Sequence, residues 1–331
     1  MIRQKGMALV LVLWVLSLLT IMAGSFALSM RRESAIVGGI KNNAQAGAVA
    51  KSGIAMAEMM LLNPDITKGW RADGNIYEIN ANNAKIRLRL SSEAGKIDIN
   101  KADEALLKSL MTSAPVDEEQ QAKLVGAILD WRDADDLVHL DGAEKQEYQD
   151  AGLKYQPGNK PFESIEELQL VLGMNKSLFL WLEPLVTVYS GQPQVDVKVA
   201  TKEVLQVIPG LDKTLVDAYI IARLQSTINN LPVPPFPASL GMNTPNGQST
   251  PIGQNPTGQN NAFTIVSEVF MADGSRALIS AVIKKSGNTQ TSPSPFEILK
   301  WQNATANRAS LFTDAMSNLL VKQYAEPELN N

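Results

Sequence analysis

The sequence predicts an α+β fold: a long N-terminal helix packed on an antiparallel β-sheet, with a large all-α domain inserted into the sheet. Three observations predict it. An uncharged apolar run opens the chain and merges into helical pattern with no proline before Pro64. Two stretches of alternating polarity read as β-hairpins, one early and one late. The long interval between them carries helix-type patterns and caps.

The N-terminal element carries the strongest signal. Residues 1–6, MIRQKG, are short and basic through Arg3 and Lys5. From Met7 to Met30 no residue is charged. That run exceeds the roughly 20 residues a helix needs to cross about 30 Å of hydrocarbon. It is also longer than the apolar region of about 7–15 residues in an ordinary secretory signal. Charge orients the segment poorly, because Arg31 and Arg32 on one side oppose Arg3 and Lys5 on the other. Ile40, Ala44, Gly47, Ile54, Ala57 and Leu61 recur at steps near three and four, which extends a buried stripe past the lipid. Residues 7–62 would span about 84 Å as one helix. Gly38-Gly39 is a place for a bend, and Asn63-Pro64 is a stop.

The strands come next. NIYEIN and KIRLRL flank the turn ANNA over 75–90. FTIVSEVF (263–270) and RALISAVIKK (276–285) flank a turn centred on Asp273-Gly274. PFEILKW (295–301) reads as a further strand. Between the hairpins, helices are predicted at 117–132, 163–172 and 212–226, and Ser164 with Glu167 forms a capping-box pattern. An internal echo aligns KIDINKADEALLKSL (96–110) on QVDVKVATKEVLQVI (194–208), each read as a short strand leading into a helix. Residues 231–261 are rich in Pro, Gly, Asn and Gln and predict a flexible loop. The tail from Asn303 predicts a short helix or disorder. The resulting division is a leader at 1–6, a transmembrane and packing helix at 7–63, and the first part of the sheet at 64–97. The inserted helical domain follows at 98–228, the loop at 229–262, the C-terminal strands at 263–302 and the tail at 303–331.

Composition excludes much chemistry. The 331-residue chain has no cysteine, one histidine and a net charge of -4. Thiol nucleophiles, thiolate zinc sites and multi-histidine metal sites are therefore absent. No P-loop, dinucleotide-binding glycine pattern or metalloprotease helix occurs. His139 stands beside Asp136 and Asp141 and reads as a surface loop residue. No enzyme is read here. VIPGLDKTLVDAYIIARL (207–224) has the outline of a helix-hairpin-helix module, with Pro209-Gly210 in the hairpin. It lacks the basic patch that phosphate binding needs, so it reads as a protein-contact platform, with no nucleic acid.

Asp133, Asp135 and Asp136 cluster after Trp131, with Glu144 further on. Hard oxygen ligands gathered on a loop suit calcium. The spacing is not that of an EF-hand, and a solvated acidic loop would carry the same residues.

A short basic leader ending in glycine, followed by a long uncharged helix, resembles the class III signal of type IV pilins and pseudopilins. The resemblance implies a pilin-like architecture, cleavage between Gly6 and Met7, and methylation of the new amine on Met7. That family carries glutamate at the fifth mature position, which here is Leu11. A subunit without that carboxylate cannot neutralise a neighbour's buried amine, which suits one end of a filament.

Further stretches narrow the likeness: ILDWRDADD (128–136), GAEKQEY (142–148), Pro-Phe-x-Ser-x-x-Glu-Leu (161–168) and DVKVATKEVL (196–205). With the leader and Leu11, they resemble the K-type minor pseudopilin of the type II secretion system, the general secretion pathway protein K family. The resemblance implies a single-pass bacterial inner-membrane protein with its soluble domain in the periplasm. It implies a place at the pseudopilus tip, where the subunit starts or limits assembly and supports export across the outer membrane. It implies the I-type and J-type minor pseudopilins, the major pseudopilin and the prepilin peptidase as partners, with secreted cargo or the outer-membrane secretin beyond them. It also implies calcium in the inserted domain, with Asp133, Asp135, Asp136 and Glu144 as the ligand set. The alternatives are a membrane-anchored periplasmic nucleic-acid-binding protein of the competence type and a minor pilin of a type IV pilus.

Overall fold

The computed structural model describes residues 7–65, 68–81, 83–208, 211–237, 261–286, 294–303 and 310–321. Helix α1 spans Met7–Leu61 without interruption, straight through Gly38 and Gly39. Its apolar first part is exposed throughout, and the helix is long and apolar enough to cross a membrane.

Residues 46–57 behave differently. Ala46, Ala50, Gly53, Ile54 and Ala57 are buried against the sheet. These small side chains let the helix approach closely. A Cβ placed on Gly53 would meet Ser267 Oγ at 2.7 Å and Leu88 Cδ2 at 3.1 Å. The predicted stripe therefore needs correction. Ile54 and Ala57 face the sheet, but Ile40 and Ala44 are exposed. At 3.6 residues per turn they sit roughly a quarter to two-fifths of a turn from the sheet-facing line. Spacing alone gave them the same face because the two apolar faces overlap at Ile54.

Strands β1 (Asp73–Ala81) and β2 (Ala84–Ser92) form the first hairpin. Strands β5 (Ala262–Met271) and β6 (Arg276–Lys285) form the second, and β7 (Phe296–Asn303) adds to β6. With the short strand β8 (Leu320–Val321) these five make a six-stranded sheet of order β7-β6-β5-β2-β1-β8. Strands β2 and β5 pair in register although the whole helical region separates them in sequence. That pairing is the insertion.

The last strand, β8 (Leu320–Val321), runs parallel to β1, so the sheet is mixed rather than purely antiparallel. It lies in the segment expected to be a helix or disordered, which also holds the short helix α8 (Asp314–Ser317). Two residues give no readable period, and only the edge of β1 makes them a strand.

The α1 face of the sheet is apolar. The opposite face carries a row of charges across three strands. Arg87 Nε donates to Glu78 Oε2 at 2.7 Å, and Arg87 stands opposite Glu268 in the register. Residues 310–312 cover this row: Glu268 accepts from Leu311 N–H (2.5 Å) and Arg87 donates to the Leu311 carbonyl (2.8 Å). Burying the charges is tolerated because each is paired.

The insertion begins at a 3₁₀ turn, Glu93–Gly95. Strand β3 (Ile97–Asp98) pairs in parallel with β4 (Val186–Thr187), away from the main sheet. The inserted lobe is therefore helical apart from this small pair, and Ile97, read as sheet, belongs to the lobe. Its helices are α2 (Glu104–Thr112), α3 (Glu118–Arg132), α4 (Lys145–Asp150), α5 (Lys176–Leu182), α6 (Lys202–Val207) and α7 (Lys213–Ile228). Side-chain oxygens of Asp103, Asp117, Asn175 and Asp212 accept from backbone N–H groups of the first turns of α2, α3, α5 and α7. The segment read as a helix over 163–172 is a 3₁₀ turn, Ile165–Leu170, opened by the Ser164/Glu167 capping box.

The internal echo holds at atomic level, with one change. Asp98 Oδ1 accepts from Asn100 N–H and Asp196 Oδ1 accepts from Lys198 N–H. The backbone carbonyls of Asp98 and Asp196 accept from Ala102 and Ala200 N–H respectively. Asp103 and Thr201 are the equivalent N-caps, and Leu107 and Leu205 are both fully buried. The repeated unit is thus a turn and a helix; the second copy forms no strand.

Two hydrophobic cores result. One is made by α1 and the sheet. The other is made by the inserted lobe.

Candidate functional site

The acidic segment after α3 closes into one site. Asp130, in the last turn of α3, is fully buried. Its Oδ1 accepts from His139 N–H at 3.0 Å and lies 2.5 Å from His139 Nδ1. Its Oδ2 accepts from Ala143 N–H at 2.6 Å. A carboxylate in the helix end thus ties down the loop from Asp133 to Glu144. The loop lies tight on the helix: a Cβ on Gly142 would fall 2.0 Å from Asp130 Oδ2, and one on Gly126 would fall 2.6 Å from Gly142 Cα. Beneath it, Trp131 stacks on Phe162, and Tyr148 packs beside Trp131.

Asp133, Asp130 and His139 each bring a ligand atom within 4.8 Å of the others. His139 Nδ1 is 3.6 Å from Asp133 Oδ2. His139 is exposed on the loop, as expected, and in addition Asp130 and Asp133 hold its ring. Asp130 went unnoticed in the sequence, although it lies three residues before Asp133 at the end of a helix, hence on the same face.

Asp135 and Asp136 are exposed. Asp135 Oδ1 caps Leu137 N–H at 2.9 Å. Asn159, at positive φ, donates from Nδ2 to the Asp135 carbonyl (3.1 Å) and to Asp136 Oδ1 (2.9 Å).

Glu144 is the unusual member. It is buried at the start of α4, where it faces the Glu147 N–H in a capping box but has no hydrogen bond of normal geometry and no cation beside it among the described residues; Asp133 Oδ1 is likewise unpartnered. Burial, then the charges of Asp130, Asp133, Asp136 and Asp135, push the Glu144 carboxyl up to about 7. Asp133 is raised in the same direction, mainly by burial and then by Asp135 and Asp130. Four aspartates and a buried glutamate share one field with too few donors to balance it. An unpartnered buried carboxylate is costly. A hard divalent cation bound by oxygen ligands would relieve that cost, so the donor set fits calcium.

Among the other expected sites, Gly6 lies outside the described residues. Met7 and Leu11 are exposed on the apolar part of α1. Pro209 and Gly210 also lie outside the described residues. Arg223, a basic residue of the hairpin-like region, is buried and donates to the Lys198 and Asp73 carbonyls, so it is not available to phosphate. Lys202 pairs with Asp217 at 2.9 Å.

Residues 75–191 match the family model for type II secretion system (T2SS), protein K. The type II secretion system protein K of Klebsiella pneumoniae is 24% identical over 241 residues, covering 65% of this chain and 73% of that protein. That of Aeromonas hydrophila is 24% identical over 209 residues, covering 56% and 63%. Among solved structures, a chain of the GspK-GspI-GspJ complex from the enterotoxigenic Escherichia coli type 2 secretion system superposes with a TM-score of 0.51 at 16% identity. The match covers 84% of this chain and 99% of that one.

Proposed function

We propose that this chain is a minor pseudopilin of the type II secretion system protein K family and works as a processed, membrane-held tip subunit. The precursor is cut between Gly6 and Met7, the new amine is methylated, and α1 holds the protein in the bacterial inner membrane with both lobes in the periplasm. The role is structural rather than enzymatic: the subunit starts or limits pseudopilus assembly and so supports export through the outer-membrane secretin.

The observation that carries this reading is the split character of α1. Its first part buries nothing within the protein, while residues 46–57 pack on the sheet. Between them, Ile36, Val37 and Ile40 are exposed on a face the chain's own sheet does not cover. That face offers apolar contact to helices of I-type and J-type partners, which the GspK-GspI-GspJ assembly supports by likeness. The 46–57 line is not available to them. Leu11 presents an apolar side chain where a filament-interior subunit needs a carboxylate, and the inserted lobe adds bulk against further stacking.

N-terminal sequencing of the protein recovered from cell membranes tests the reading. The expected start is a methylated Met7; a chain that begins at Met1 overturns it. Leu11→Glu should misplace the subunit or change pseudopilus length. Unchanged length and unchanged secretion would remove the charge-pairing argument while leaving the bulk of the lobe as the cause of tip placement.

The acidic loop is proposed as a calcium site formed by Asp133, Asp135, Asp136 and Glu144, with Asp130 as the residue that shapes it. Buried Glu144, set among four aspartates, supports this. The raised carboxyl sets the pH dependence. A carboxyl raised from 4.5 to about 7 gives stability that is present below 4.5 and lost as pH rises through 7. The cation needs the ionised form, so it binds more tightly across that same rise and releases a proton when it binds below pH 7. Calorimetric titration of the purified protein at pH 5.5 and pH 8 should show the stronger calcium affinity at pH 8. Equal affinity at both, or no heat at either, counts against Glu144 as a ligand.

A further inference from the structure

The two lobes have separate cores, and hydrogen bonds and ion pairs join them at several places. At one end the junction is buried. Arg223 of α7 reaches Asp73 of β1, with Nε 3.6 Å from the carboxylate and a guanidinium N–H donated to the Asp73 carbonyl at 2.8 Å. Both side chains are almost fully buried. Asn75 Nδ2 donates to Thr227 Oγ1 at 3.2 Å, and Leu224 of α7 packs on the sheet core. Further across the sheet, at β5, buried Glu93 accepts from Thr264 Oγ1 of β5 and from Thr187 Oγ1 of β4, each at 2.5 Å, and forms part of the wall of a cleft.

At the other end the lobes stand apart. A cleft of about 450 Å³ separates β5, β6 and β7 from the 3₁₀ turn, α5 and β4. Its walls include Val266 and Val282 on the sheet side and Leu180 and Ile165 on the lobe side. At the β7 side Lys300 and Gln302 both donate to Glu166 across it; the longer Arg89–Glu203 pair crosses nearer the anchor, where Arg89 Nε also donates to the Gly74 carbonyl. Glu166 and Glu203 belong to the lobe; Lys300 and Arg89 belong to the sheet.

We propose that the inserted lobe swings on the buried contacts at α7–β1 and at Glu93, opening and closing the β7 side of this cleft, with Lys300–Glu166 as the latch. The physical argument is the unequal strength of the two ends. Buried, fully hydrogen-bonded charges hold their geometry because removing one partner strands the other. Partly exposed ion pairs are weak and are screened by salt. A polar interface between two independently cored lobes favours relative motion. Opening would bare Val266, Val282 and Leu180 without disturbing either core. The inference stands on the geometry of the two lobes and does not depend on the family assignment.

The absence of cysteine allows a clean test. Gln169→Cys beside the latch on the lobe and Glu297→Cys on β7 would carry spin labels in the full chain, in detergent micelles. Pulsed electron resonance would then read the distance between them. With the latch intact at low salt, one short-distance population is expected. Glu166→Gln, or high salt on the intact latch, should add a second population at longer distance. A single unchanged distance under all three conditions overturns the proposal. A thermal melt checks that Glu166→Gln is folded, and the salt arm needs no latch variant at all.

Discussion

Gly53→Leu should unseat α1 from the sheet and lower stability by about 2–3 kcal/mol or more, the range for overpacking a tight core. A Cβ alone would sit 2.7 Å from Ser267 Oγ, 3.1 Å from Leu88 Cδ2 and 3.3 Å from Ile86 Cγ2. Ser267 and Leu88 are fully buried and Ile86 nearly so, so none has room to retreat. The remaining carbons of a leucine would have to displace the helix. Gly47→Ala is the contrast. Nothing lies within 4 Å of its added Cβ, and Ala is the better helix former by about 0.5–1 kcal/mol. Thermal melts of the two variants should move in opposite directions. If Gly53→Leu melts like the parent protein, the small-residue stripe is not what sets the approach of α1.

Asp130→Ala should be nearly as damaging, by another route. It strands the N–H groups of His139 and Ala143, which Asp130 now accepts. The buried Ala143 N–H left unmet costs about 1–3 kcal/mol, and the part-buried His139 N–H less. The loop from Asp133 to Glu144 should detach, and the calcium response should vanish with it. Asp136→Asn separates the two effects. Asp136 is exposed, so stability should hold within about 0.5 kcal/mol. Calcium affinity should nevertheless fall, because one of the charges facing Glu144 is gone. The checks are a thermal melt and a calcium titration of each variant. Full calcium binding by Asp130→Ala would show that the loop does not depend on this anchor.

The two substitutions act on different cores. Gly53→Leu strikes α1 and the sheet, and Asp130→Ala strikes the inserted lobe. Their costs should therefore add when combined, since the sites share no partner.

Much of this was legible in the residues because its causes are local. The uncharged run from Met7, the stop at Asn63-Pro64, both hairpins, the Ser164/Glu167 capping box and the repeated Asp-to-helix turn all rest on neighbours a few positions away. The acidic cluster was legible as a cluster. Its centre was not: Asp130 hides inside a helix, and only the fold-back of residues 139–143 makes it an anchor. Helices α4 and α5, of six and seven residues, are too short to show a period.

By itself the sequence determined the long helix with its lipid-length apolar end, the two hairpins, and that a mainly helical insertion lies between them. Only the tertiary structure decided which line of α1 meets the sheet, that β8 completes the sheet edge in parallel, and that Asp130, Asp133 and His139 converge. The reason is the range of the forces. Periodicity, caps and turns are settled within a turn or two of chain. The choice between two overlapping apolar faces, or the partner of a two-residue strand, depends on surfaces supplied from far along the chain.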